Sequence, residues 1–386
     1  MKTIYFVAGE ASADNHGVAV MRALRNVAAD LASASPSNGG LVFIGRGGPQ
    51  MKSVAGEGFT DWIKQSGVLG LWEVIKHYGY FRKQFHEALR EIETSKPNAV
   101  VLIDYPGFNL RLARALRSAF AKATADKPKI IYYISPQVWA WNRGRIKKMA
   151  RWLDLMLCIF PFEADLYNES GLRTIFVGHP MVERLGERTI DVERDPNLIG
   201  LFPGSRAREV RKIFPLLIQT AHELLRSKPN LRFEIAAAST ELADEMKKIL
   251  SREASLPLEI KLDQTAAIMQ RAFVGIVASG SATLEAAYFR MPFVLVYKVS
   301  WITYLAGRLL VKVKYLGMPN VLAEKEIVPE FIQHHAQPAM IAQAVLHLFE
   351  TGARAQMFSE FDKIRDQLGG AGASERAAKA ILIEIS

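Results

Sequence analysis

At 386 residues, 49% of them apolar, the chain exceeds the roughly 250–300 residues at which one core stops growing, so two domains are expected. Lysines and arginines number 49 against 39 acidic residues, a net charge of +10 that fits an anionic partner: a nucleotide, a phospholipid surface or nucleic acid. The lone cysteine, Cys158, excludes an internal disulfide framework and fits a reducing compartment, and neither a signal-peptide pattern nor an apolar run near the ~20 residues of a membrane span is present, so a cytoplasmic location is expected.

In chain order, strand-length apolar runs alternate with amphipathic, helix-length segments: "TIYFVA", "LVFIG", "AVVLIDY", "KIIYYIS" and "LMLCIF", then "LIGLFPG", "LRFEIAAA", "VGIVASG" and "FVLVYK". Strands that are apolar throughout, rather than alternating, are buried on both faces, which predicts parallel sheets covered by helices and an α/β fold. Periodicity lapses over residues 178–197, "GHPMVERLGERTIDVERDPN", which separates the strands into two groups. The expected plan is two Rossmann-like, doubly wound domains facing a cleft, over residues 1–185 and 186–355, with helices 356–386 returning to the first domain. The same C-terminal helices fit a swapped homodimer equally well.

The first strand runs into "GEASADNHG", a helix start whose Glu10 and Asp14 would repel a phosphate held against them. Residues 68–81, "VLGLWEVIKHYGYF", place Val68, Leu69, Leu71, Trp72 and Ile75 on one face, either an exposed lipid-facing surface or an ordinary amphipathic helix on the core. Asp104 ends a buried strand in "IDYPGFN", where it would face the ligand crevice or cap the next helix. The run "RGRIKKMAR" sets Arg143, Arg145, Lys147, Lys148 and Arg151 beside two tryptophans, a pattern suited to anionic lipid headgroups and equally to a solvated helix face. Arg308, Lys312 and Lys314 form a second such cluster. No nucleic-acid-binding signature accompanies either, so no nucleic-acid partner is expected.

In the second half, "LFPGSRAREV" is a strand, a Pro-Gly-Ser turn and a long helix. Gly204, Ser205 and Arg206 there can hold a phosphate on backbone N–H groups and a guanidinium, or form an ordinary βα turn capped by Ser205. "VASGSATLEAA" repeats the arrangement with Ser279, Gly280 and Ser281, and Glu285 one turn later can take both hydroxyls of a ribose or simply favour the helix dipole. Neither loop fits a P-loop or a dinucleotide fingerprint, and no Asp-x-Asp pair or Cys/His cluster offers a metal site. A nucleotide-sugar site without metal or other cofactor fits what remains.

Together with "SPQVWAW", "VGHP" and "GMPNVLAEKEIVPEFIQ", these segments occur in the order of the lipid-A-disaccharide synthase family, which the sequence resembles over roughly residues 3–335. The resemblance implies a GT-B fold and an inverting glycosyl transfer from UDP-2,3-diacylglucosamine to 2,3-diacylglucosamine 1-phosphate, at the cytoplasmic face of an inner membrane. It assigns the first domain to acceptor and lipid and the second to the UDP-sugar. It also implies that Arg206 serves the donor diphosphate, that Thr283 belongs to the same motif as Glu285, and that Asn320, Glu330 and Gln333 complete the donor wall. Inversion needs a base for the attacking 6-hydroxyl, and Asp104 is the expected one. The family often has a second acidic residue where Gly107 stands, and usually glycine where Ala13 stands. Glu10, Ser12 and Asp14 are then expected on the acceptor side, and Val68 to Ile75 against acyl chains. A UDP-sugar 2-epimerase of the same architecture is the alternative, as is a nucleotide-dependent membrane-binding protein without catalysis.

Overall fold

The computed structural model describes residues 1–34, 40–63, 78–121, 127–251, 256–301 and 313–386. Two compact units make up the chain, one of Met1–Pro180 with Leu368–Ser386 and one of Met181–Gln367. Among the described residues, no helix is long and apolar enough to cross a membrane.

The first unit is built on seven parallel strands: β1 (Lys2–Ala8), β2 (Leu41–Gly47), β3 (Phe59–Asp61), β4 (Ala99–Ile103), β5 (Lys129–Tyr133), β6 (Leu155–Cys158) and β7 (Thr174–Phe176). They lie in the order β3-β2-β1-β4-β5-β6-β7. All five residues of β4, "AVVLI", are buried, as a strand without polar positions requires. Tyr5, Val7, Val100, Leu102 and Tyr132 from the strands meet Leu112, Ala113 and Leu116 of the helix Pro106–Ala119 in one core. Buried Arg46, at the end of β2, holds the helix Tyr78–Ser95 by hydrogen bonds to Gln84, Glu87 and Glu91. Cys158 is buried and donates to the Phe160 carbonyl at 3.4 Å. Burial, with the nearby charge of Glu163, pushes its thiol up, so it packs as a structural residue.

The order of these strands places a topological switch between β1 and β4. In open parallel sheets of this kind, ligands bind beyond the carboxyl ends of the strands at such a switch. "GEASADNHG" follows β1 and Asp104 follows β4.

The second unit repeats the scheme with β8 (Asp195–Phe202), β9 (Arg232–Ala237), β10 (Leu258–Leu262), β11 (Ala272–Ala278), β12 (Phe293–Tyr297) and β13 (Glu330–Ile332), in the order β10-β9-β8-β11-β12-β13. Val210, Phe214, Leu217, Ala221 and Leu224 recur at helical spacing along Ala207–Ser227 and are all buried, which seats that helix on the sheet. Here the switch falls between β8 and β11, the strands that lead into "PGSR" and "SGSATLE".

The division of the chain differs from the expected one at both ends. The helix Met181–Gly186 lies with the second unit, where Arg184 pairs with Glu285 at 2.7 Å and the Tyr288 hydroxyl donates to the Val182 carbonyl. The helix Thr351–Gln367 stays there too, because Phe361 stacks on Phe293 with ring centroids 5.8 Å apart and Arg290 pairs with Asp362 at 3.0 Å. The returning segment is therefore shorter than expected and begins at Leu368. Its helix Ala373–Glu384 packs against Ala11–Ala34 in the same chain.

That return is fastened at "VGHP". Arg376 donates to the carbonyls of Val177 (2.8 Å), Ala371 (2.7 Å) and Gly370 (2.7 Å), while the His179 N–H donates to Leu368 O at 2.8 Å. Gly178 has φ +86°, and any Cβ there would run into the Arg376 guanidinium.

Candidate active site

At the first switch point the backbone is strained. Asp104 and Tyr105 have φ of +44° and +49°, both in the left-handed region that non-glycine residues rarely adopt. The strain is held by hydrogen bonds: the Asp104 N–H donates to Tyr133 O at 3.0 Å, and its carbonyl accepts from Asn109 Nδ2 at 2.7 Å and from the Tyr132 hydroxyl. Tyr105, not Asp104, occupies the cap position of the following helix, so the carboxylate is left for other work. Its pKa is pushed up to about 6, by burial first and then by the charge of Glu10, while the Tyr105 backbone N–H pulls the other way. A carboxyl group poised near neutrality at the end of a central strand is suited to accept a proton.

Glu10 and Ser12 are exposed at the neighbouring helix start, with the Ser12 hydroxyl donating to Glu10 at 2.5 Å. Asp14 does not join them. It is buried and accepts from the N–H groups of Gly48 (2.9 Å), Gln50 (3.0 Å) and Met51 (3.0 Å), capping the helix Pro49–Ala55 from outside. Gly48 has no side chain to cap with, so the orphan donors of that helix take the carboxylate that the fold brings to them. Asp14 therefore has a structural task in this fold, while Glu10 and Ser12 stay exposed at the helix start.

At the second switch point the helix after β8 starts at Ala207, with Arg206 rather than Ser205 as its cap residue. Gly204 has φ +109°, and Arg206 extends into solvent with its side chain 82% exposed. Glu209, one turn in, accepts from the Ser205 N–H and from Arg206 Nη1, both at 3.2 Å, and a Cβ on Gly204 would collide with it. Sequence reasoning passed over Glu209, although an acidic residue three positions after a helix cap is a recognised signal. Beyond β11, Gly280 has φ +148° and caps the helix Ser281–Tyr288, leaving Ser281 exposed and Ser279 half-buried. Glu285 is partly buried against Arg184.

Four expected donor residues have their polar atoms engaged within the fold. Thr283 is buried and donates to the Gly280 carbonyl at 2.8 Å. Asn320, fully buried, accepts from Ile327 N (2.8 Å) and Val328 N (2.9 Å) and donates to Val328 O and Glu330 Oε1, both at 2.8 Å. Glu330 accepts from the N–H groups of Leu316 (2.9 Å) and Gly317 (2.9 Å) as well. Gln333, buried at φ +52°, brackets Val299, accepting from its N–H at 2.7 Å and donating to its carbonyl at 3.3 Å. Asn320, Glu330 and Gln333 thereby fix the loops around β12 and β13. A buried amide or carboxylate needs partners, and here backbone groups supply them.

A second buried carboxyl, Glu163, was not singled out in the sequence. It accepts from the Ser135 hydroxyl, from Trp139 Nε1 at 2.9 Å and from Phe160 N at 3.3 Å, and so ties "SPQVWAW" to the helix Pro161–Glu169. Burial pushes it up to about 7 against the pull of those donors. Beyond this loop Trp141 is 40% exposed with Arg145 over its ring at 4.9 Å, and Arg143, Lys147, Lys148 and Arg151 are exposed beside it. Val68, Leu69, Leu71, Trp72 and Ile75 lie outside the described residues, as do Arg308 and Lys312. Lys314 is exposed over Tyr315.

Residues 4–385 match the family model described as "Lipid-A-disaccharide synthetase". The lipid-A-disaccharide synthase of Trichlorobacter lovleyi is 35% identical over 390 residues, covering 99% of this chain and 97% of the relative. That of Geobacter sulfurreducens is 35% identical over 389 residues, covering 98% and 96%. Among solved structures, MurG of Acinetobacter baumannii superposes with a TM-score of 0.57 at 14% identity, covering 99% of both chains. At these identities the structural likeness speaks for the fold, which is that of GT-B glycosyltransferases.

Proposed function

This chain belongs to the lipid-A-disaccharide synthase family, glycosyltransferases that release UDP as they join UDP-2,3-diacylglucosamine to 2,3-diacylglucosamine 1-phosphate, and we propose which of its residues perform that transfer. The acceptor 6-hydroxyl attacks the anomeric carbon opposite the leaving group. Its proton passes to the Asp104 carboxylate as the new C–O bond forms, and the electron pair of the breaking bond leaves on the terminal phosphate of UDP. Glu10 and Ser12 receive acceptor hydroxyls. The backbone around Gly204 and Ser205, the Arg206 guanidinium and the turn Ser279–Ser281 meet the diphosphate charge, and Glu285 takes the ribose. Asn320, Glu330 and Gln333 position this site from behind.

The observation that carries the reading is Asp104 itself: a strained, hydrogen-bonded strand end that presents a carboxyl group poised near pH 6. Arg143, Lys147, Lys148 and Arg151, with Trp141 among them, support contact with the anionic cytoplasmic surface of an inner membrane. Turnover in detergent with EDTA tests the assignment. The wild-type chain forms disaccharide, Asp104→Asn and Arg206→Ala each lose it at least a hundredfold, and an Asp104→Asn variant near wild-type rate removes the base.

A further inference from the structure

The strained turn at Asp104 has a strained neighbour. Just past the end of β5, the strand paired with β4, buried Ile134 has φ +65°, a value that β-branched residues rarely adopt. The two turns are joined: the Asp104 N–H donates to the carbonyl of Tyr133, one residue before Ile134, at 3.0 Å, and the Tyr132 hydroxyl donates to the Asp104 carbonyl. Backbone strain of this kind persists only where its surroundings over-determine it.

One helix supplies those surroundings. On Pro161–Glu169, Glu163 and Tyr167 stand one turn apart on the same face, and both are buried. A single carboxylate oxygen, Glu163 Oε1, accepts from the Ser135 hydroxyl and from Trp139 Nε1, which leaves Oε2 for Phe160 N at the start of the helix. The Tyr167 hydroxyl, kept protonated by burial and then by the charge of Glu163, donates to the Pro136 carbonyl at 2.9 Å. The loop after Ile134 is thus held at Ser135, Pro136 and Trp139 from one side. Apolar packing would fasten a loop without the cost of burying a carboxyl group, whereas directed hydrogen bonds also fix its geometry.

We propose that Glu163 and Tyr167 are positioning residues for the glycosyl transfer: they hold Ile134 in its strained conformation and, through the Tyr133 carbonyl, fix where the Asp104 carboxyl group stands. The inference rests on the reading of Asp104 as the base. Neither residue exchanges a proton in the step. A base displaced by about 1 Å can cost a hundredfold in rate, and that loss falls on kcat while acceptor binding is kept.

Steady-state turnover of the full chain in detergent, well below the melting temperature of each variant, tests this with Glu163→Ala, Glu163→Gln, Tyr167→Phe and Asp104→Asn. Glu163→Ala is expected to lower kcat at least tenfold and Tyr167→Phe at least threefold, each with KM for the acceptor within twofold of wild type. Glu163→Gln keeps an oxygen where Oε1 accepts from Ser135 and Trp139, and is expected to restore kcat to within threefold of wild type. Wild-type kcat in folded Glu163→Ala, a loss carried by KM instead, or a glutamine variant as slow as the alanine one overturns the inference. Tyr167→Phe removes a single oxygen and decides the matter where the alanine chain does not fold, since an unchanged kcat there overturns the inference as well. Asp104→Asn keeps the two readings apart: if it loses turnover while Glu163→Ala and Tyr167→Phe do not, the base stands and the positioning role falls, and if it keeps wild-type turnover the base reading falls and the inference with it.

Discussion

The ring of Tyr105 fills the space where a side chain on Gly9 would go: a Cβ there would lie within 2.7 Å of three ring carbons. The glycine that opens the first βα turn and the left-handed residue after Asp104 are thus one packing unit. Gly9→Ala is expected to displace Tyr105, and with it Asp104, lowering turnover at least tenfold and stability by about 1–3 kcal/mol. Steady-state rates together with urea unfolding check both effects. An alanine variant with wild-type turnover would mean that Asp104 does not depend on this contact.

The pH dependence follows from Asp104. Its conjugate base is the active form, so kcat/KM should rise with pH and level off above an apparent pKa of about 6. Glu10→Gln removes one of the two influences that hold the carboxyl up, and the rising limb should move to lower pH. A limb that stays in place in Glu10→Gln places the titrating group elsewhere.

Stability carries its own pH signature through Glu163. Its folded-state pKa of about 7 lies above the ordinary value of 4.5, so the folded chain binds the proton more tightly than the unfolded one, and stability should fall as pH rises through that window. Melting temperature measured at pH 5.5 and pH 8 should be lower at the higher pH. The difference should shrink in Glu163→Gln, where no carboxylate has to be ionised in the interior.

Asp14 separates structure from function. Asp14→Ala leaves the N–H groups of the cap residue Gly48 and of Gln50 and Met51 in the helix Pro49–Ala55 without their acceptor and should cost roughly 2 kcal/mol of stability. At a temperature where the variant is folded, KM for the acceptor should stay within twofold of wild type. A large KM increase in folded protein would return Asp14 to the acceptor side.

Arg376 fastens the returning chain by one hydrogen bond to the Val177 carbonyl and holds its entry turn by two more, to Ala371 and Gly370. Arg376→Ala should lower stability by about 2 kcal/mol and expose residues near Leu368 to proteolysis before the rest of the chain. Limited digestion followed by mass measurement shows whether the first cut falls there.

The sequence announced the two sheets because their strands are apolar at every position, and it announced the loops because each sits at a strand end. It could not show how polar side chains are allotted. Asp14 and Asn320 read as ligand-facing residues in their motifs, yet backbone donors that lie far away or on the next turn claim them once the chain is folded. Glu163 and Glu209 were overlooked because a glutamate in a first helical turn is ordinary in sequence, and only the fold reveals what each one holds. The boundary at Leu368 was hidden for a similar reason: helices on either side of it have like compositions, and their partners, Phe293 for one and the helix Ala11–Ala34 for the other, are distant in the chain.

Because the helix Ala373–Glu384 packs on Ala11–Ala34, the first unit is closed by a segment more than three hundred residues away from its opening strand. Lys2 Nζ donates to Ile385 O at 2.8 Å, and Glu384 pairs with Lys129 at 2.9 Å and also with Arg173. The second unit, Met181–Gln367, is continuous in sequence and can close on its own residues, while the first keeps an unfinished face exposed until residues 368–386 join it. A chain truncated after Gln367 would therefore present a complete second half joined to an open first one, a natural object for chaperones and proteases to recognise.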